Sequence, residues 1–142
     1  RNPAVIMSES NANKGAEDPL DDVFVDESAI DRERVASILN GYANVGEESG
    51  RLVPTPAYEE RSALEKILIT LVAERAKELK DATESASLGP SKISEISGVP
   101  EGTVKPGVRD LADDGLIYDD DEGYSVQPPE LRHIEDFLKT DE

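Results

Sequence analysis

Lys92, Thr103, Lys105 and Arg109 stand close together in this chain. They are the residue types that hold a phosphate or a base edge. A guanidinium such as that of Arg109 can bond guanine bidentately, and Lys or Thr near a helix N-terminus can hold a phosphate. Two other sets invite chemistry and are set aside. His133, the single histidine, has Glu130 and Asp136 at helical spacing, the layout of a general base or a metal site. No nucleophile, Gly-rich phosphate loop or second His accompanies it, so it reads as a solvated helix residue. Asp119-Asp-Asp-Glu-Gly123 attracts cations but lacks the spacing and terminal Glu of an EF-hand loop. With no Cys, thiolate zinc sites, Cys nucleophiles and disulfides are excluded. Walker, Gly-x-Ser-x-Gly and Rossmann patterns are missing as well. The expectation is a protein that binds rather than catalyses, with no cofactor and no metal.

Charge is the dominant feature of the 142 residues: 15 Lys and Arg against 32 Asp and Glu, a formal net charge of −17. A balance so acidic repels nucleic acid and anionic membranes at moderate salt. The acids are spread along the whole chain, from Asp18, Asp21 and Asp22 to Asp119 and Asp120. Such spreading, with few Lys, resembles proteins of halophilic archaea, where molar potassium chloride shortens the Debye length to about 3 Å or less and screens the self-repulsion. An acidic mesophilic protein or a nucleic-acid mimic are the alternatives. No apolar run approaches a membrane span and no signal-peptide layout is present, so a cytoplasmic protein without membrane contact is expected.

The elements that position these residues follow from periodicity. Residues 1–27 show no sustained period and read as a disordered acidic tail, with Met7 a candidate natural start. Within it, Pro19 to Asp26 is an acidic and apolar island, either a partner-docking motif or a strand or strap laid on the domain. Residues 28–56 form an N-terminal extension. Asp31 is placed to cap a helix carrying Val35, Ile38, Leu39 and Tyr42, and a hairpin turns about Glu47 to Gly50. The domain proper spans 57–127. Ser62-Ala-Leu-Glu65 is a capping box, and Leu64, Ile67, Leu68, Leu71, Val72 and Leu79 trace the stripe of the main helix to about Lys80. Thr55-Pro56 offers an earlier start. Ala82 to Leu88 reads as a mobile linker.

Pro90 suits the first turn of a helix through Lys92, Ile93 and Ile96, which Gly98 stops. After a tight turn at Val99 to Gly102, Val104, Val108 and Leu111 recur at helical spacing until Gly115. Two short helices joined by a Gly-containing turn are the helix-turn-helix signature. An interior Pro costs roughly 3 kcal/mol. With Thr103 as N-cap, however, Pro106 becomes the third helical residue, where no hydrogen bond is lost. The helix then runs from Val104 to about Asp114 and exposes Thr103, Lys105, Pro106, Arg109 and Asp110. Leu116 to Tyr118 and Tyr124 to Val126 alternate about an acidic tip, a β-hairpin. In residues 128–142, a helix over Glu130 to Lys139 aligns Leu131, Ile134, Phe137 and Leu138. That face either pairs two copies as a homodimer or packs back beside the Ser62 helix.

The run Ile96-Ser-Gly-Val-Pro-Glu-Gly-Thr-Val-Lys-Pro-Gly-Val-Arg-Asp-Leu111, followed by Asp114-Gly-Leu-Ile117, resembles archaeal winged helix-turn-helix domains over about Ala57 to Val126. The resemblance implies a mainly α fold with a small β wing, and double-stranded DNA as partner. It also implies contacts from the helix holding Thr103, Lys105 and Arg109, with Lys92 assisting at the backbone. The match names no regulator, operator or ligand. The expectation drawn from it and from the charge is a sequence-specific transcriptional regulator or accessory factor of a halophilic archaeon, with a dimer supplying the contacts that one protomer lacks. Two features depart from the pattern. Ser91 to Val126 holds only Lys92, Lys105 and Arg109 against nine acids, and the wing tip is Asp119-Asp-Asp-Glu122. The rival expectation is therefore an adaptor that uses an acidic winged helix to dock a protein partner.

Overall fold

The computed structural model describes residues 18–83 and 85–140, so the candidate start at Met7 and most of the expected tail lie outside the described residues. The chain is mainly helical, with two small antiparallel sheets of two strands each. A 3-10 turn at Pro19–Val23 precedes α1 (Glu27–Leu39). The strands β1 (Ala43–Val45) and β2 (Leu52–Pro54) make the first hairpin, and α2 (Pro56–Glu59) and α3 (Ala63–Leu79) follow. Next come α4 (Pro90–Ser97), α5 (Glu101–Asp113), the hairpin β3 (Tyr118–Asp120) and β4 (Gly123–Ser125), and α6 (Pro128–Thr140).

The centre is α3, because its apolar residues run almost all the way round: Ile67, Leu68, Ile69, Leu71 and Val72 are fully buried. A helix apolar on all sides must be covered on all sides. Here α1, α4, α5, α6 and both hairpins supply the cover. Its N-terminus is fixed by the expected capping box, with the Ser62 side chain accepting from the Glu65 N–H at 3.2 Å and Glu65 accepting from the Ser62 N–H at 3.0 Å. Thr55 and Pro56 start a separate short helix, α2, instead of the first turn of α3. From α2 comes a buried aromatic ring, Tyr58, whose hydroxyl donates to the Ser97 carbonyl at 2.7 Å and pins the end of α4. Residues assigned to the extension, the domain and the terminal helix thus share one core.

Four expectations are corrected. Asp26, not Asp31, caps α1: its carboxylate accepts from the N–H groups of Ser28 and Ala29, so the helix starts more than a turn earlier and Asp31 lies inside it. The island Pro19 to Asp26 is no strap, because Leu20, Val23, Phe24 and Val25 are all exposed. The linker ends in structure: Leu88 exchanges two backbone hydrogen bonds with Tyr124, each 2.8 Å, adding a one-residue third strand to the second hairpin. Finally, of the two expectations for α6, the homodimer face gives way to the other, packing back beside the Ser62 helix α3. Leu131, Ile134 and Leu138 are buried against α1 and α3, and Phe137 is packed at their edge.

Candidate nucleic-acid interface

The helices α4 and α5 are joined by Gly98, Val99 and Pro100. Gly98 takes the left-handed conformation that closes α4, with φ +83°, and its N–H returns to the Ser94 carbonyl. Ser94 Oγ donates to the Val99 carbonyl at 2.7 Å and holds the turn. The α5 helix starts earlier than the sequence indicates. Pro100 occupies the cap position and Glu101 is the first helical residue, so Thr103 is inside the first turn and not the cap. Pro106 is therefore interior. Its ring removes the donor that the Gly102 carbonyl would have used, and both residues are exposed, so water can take that donor's place.

One face of α5 is buried by Val104, Gly107, Val108 and Leu111. Gly107 sets the distance to α3: a Cβ there would stand 3.1 Å from a Leu64 methyl and 3.2 Å from an Ile67 methyl. The other face is open, with Thr103, Lys105, Pro106, Arg109 and Asp110 exposed as expected. Lys105 and Arg109 lie one turn apart on one stripe, while Thr103 and Asp110 share the opposite flank. Among the described residues Arg109 has no carboxylate at ion-pair distance. Lys105 is 3.5 Å from Glu101, which also accepts from Ser91 Oγ at 3.1 Å. Glu101 is the residue the sequence reading passed over. It holds a negative charge at the helix start where a phosphate would sit, and its i,i+4 spacing to Lys105 was the available signal. Lys92 pairs with Glu95 at 3.2 Å and opens onto a cavity of about 510 Å³ beside Arg51 and Lys77. The structure thus gathers Thr103, Lys105 and Arg109 on one helix and sets Lys92 on its neighbour.

In the second hairpin, Asp119 and Asp120 belong to β3, and the turn itself is Asp121-Glu122. Asp120 is anchored, accepting from the Glu122 N–H at 2.8 Å and from Ser87 Oγ on the linker. The base is tied to α3 by Arg75 Nε, which donates to the Val126 carbonyl at 2.8 Å. Gly123 has φ +145° and lies so close to Leu88 that a Cβ would fall 2.6 Å from its carbonyl, so no side chain fits there. His133 is exposed, and Glu130 caps α6 by accepting from the Gln127 N–H at 2.8 Å. Among the described residues no cluster of three metal-ligating side chains is present and no helix is long and apolar enough to cross a membrane. Comparison with family models, with curated proteins and with solved structures returns no match.

Proposed function

We propose that this chain is a winged helix-turn-helix protein of a halophilic archaeon that binds double-stranded DNA as a transcriptional regulator, without catalysing a reaction. The observation that carries the reading is the open face of α5, where Arg109 is exposed and, among the described residues, has no carboxylate at ion-pair distance, while the opposite face is locked onto α3. A helix held in this way behind a short turn suits the major groove. Arg109 supplies the bidentate contact to guanine, and Lys105, on leaving its pair with Glu101, holds phosphate together with Thr103. In molar salt the counterion-release contribution is small, so an acidic surface forgoes little affinity there. Loss of saturable binding to pooled host DNA in both Arg109→Ala and Lys105→Ala is the expected result, and unchanged binding in both would falsify the site.

A second reading has an observation of its own. Asp121 and Glu122 are exposed at the hairpin turn, where a DNA-contacting wing needs cations. On that reading the domain docks a protein partner. Purification from a nuclease-treated lysate at high salt separates the two: a stoichiometric protein that survives nuclease favours the adaptor.

A further inference from the structure

With the α6 face covered, the described residues still hold a cluster of exposed apolar side chains that no other described residue buries. Leu20, Val23, Phe24 and Val25 are exposed on and just after the 3-10 turn, Phe24 by 76%. Around them stand Asp18, Asp21, Asp22, Asp26 and Glu27, with no Lys or Arg. The segment has a defined shape. Asp18 accepts from the Leu20 N–H at 2.9 Å to start the turn, and Asp26 fixes the start of α1. Exposed apolar clusters of this kind mark interaction sites.

The complementary surface is on the same chain. A groove of about 400 Å³ runs between α1, β1 and the end of α3, floored by Leu39, Ala43, Val45 and Leu79. It has room for a Phe ring and an aliphatic neighbour. Its rim carries Arg32, held there by a 2.9 Å hydrogen bond to the Leu79 carbonyl, and Lys80, which is exposed. We propose that Leu20 and Phe24 of one copy fill this groove on a second copy and the reverse, with Asp21 and Asp22 meeting Arg32 and Lys80. The segment leaves its own groove unfilled, and a two-fold exchange satisfies both surfaces at once. The result is a homodimer built through the 3-10 segment and the groove beside α1 and β1, and not through α6.

The test is light scattering on the full chain without DNA, at about 2 M potassium chloride to suppress repulsion between acidic copies, over about a hundredfold range of protein concentration. The wild type is expected to pass from monomer to dimer, and Leu20→Asp/Phe24→Asp to stay monomeric with an unchanged circular dichroism spectrum. At about 0.5 M salt, where contact pairs are less screened, Lys80→Glu is expected to weaken the dimer about two- to fivefold. Adding Asp22→Lys restores it. A wild type that is monomeric throughout, or a dimer that survives the double substitution, overturns the proposal. Indifference to both charge variants overturns the groove. Blue-shifted emission from Phe24→Trp in the dilute monomer overturns it too, since the segment would then close on its own chain. Because no DNA is present, each of these failures leaves the DNA-reading proposal standing.

Discussion

The α5 helix and the β3–β4 hairpin are neighbours in sequence, and both are fastened to α3, yet their free surfaces have opposite character. The helix offers Lys105 and Arg109 to solvent, and the hairpin offers Asp121 and Glu122. Their fastenings differ as well. Side-chain packing through Gly107, Val108 and Leu111 holds α5, whereas backbone bonds to Leu88 and the Arg75 contact to Val126 hold the hairpin. On the proposed DNA-binding reading, the contrast leaves recognition to the helix and bracing to the hairpin. A hairpin locked by main-chain bonds keeps its place whatever its tip residues are, which leaves the tip free to be acidic.

The comparison can be broken most severely at the brace. Gly123→Val forces a branched side chain into the Leu88 carbonyl at a backbone angle L-residues avoid, and is expected to cost on the order of 3 kcal/mol, read as a lower denaturant midpoint. Gly107→Leu overpacks the contact with Leu64 and Ile67. A loss of about 1–3 kcal/mol is expected, together with weaker DNA binding as α5 is pushed off α3. Arg109→Ala should leave stability unchanged and abolish saturable DNA binding at high salt, where the lost guanine contact is worth about 1–3 kcal/mol and few other contacts remain.

Tyr58→Phe removes the buried hydrogen bond to Ser97 and is expected to cost about 1 kcal/mol. Burial pushes the Tyr58 phenol above its usual value of 10.0, with Glu59 acting in the same sense and the Thr70 hydroxyl opposing. The stability of the neutral phenol is therefore complete below about pH 10 and is lost as pH rises through the native pKa. Alkaline unfolding curves of the wild type should show that loss, and those of Tyr58→Phe should lack it. The smallest effect belongs to Asp121→Asn/Glu122→Gln. If the hairpin only braces, DNA affinity at high salt moves by less than about 0.5 kcal/mol, the scale of a screened surface charge.

Much of this arrangement was legible in the sequence because it rests on local signals. The Ser62 capping box, the Gly98 stop, the Gly115 stop and the first hairpin all occur where composition and spacing put them. The exposed set on α5 was legible too, since it depends on helical period alone. What was hidden depends on partners distant in sequence. Leu88 becomes a strand only by pairing with Tyr124, and α6 packs inward only because α1 meets it. Local competition hid the rest. Asp26 and Asp31 are both sound caps by type, and Thr103 is a better cap by type than Pro100, yet the structure uses the earlier position in both cases.

The most direct test of the account is a fluorescence-anisotropy titration of wild type and Arg109→Ala against host DNA, run from about 0.2 to about 2 M potassium chloride to span weak to strong screening. The account predicts saturable wild-type binding at high salt that Arg109→Ala abolishes. A folded wild type that binds nowhere in the range, or an Arg109→Ala variant that binds as well as wild type, would contradict it.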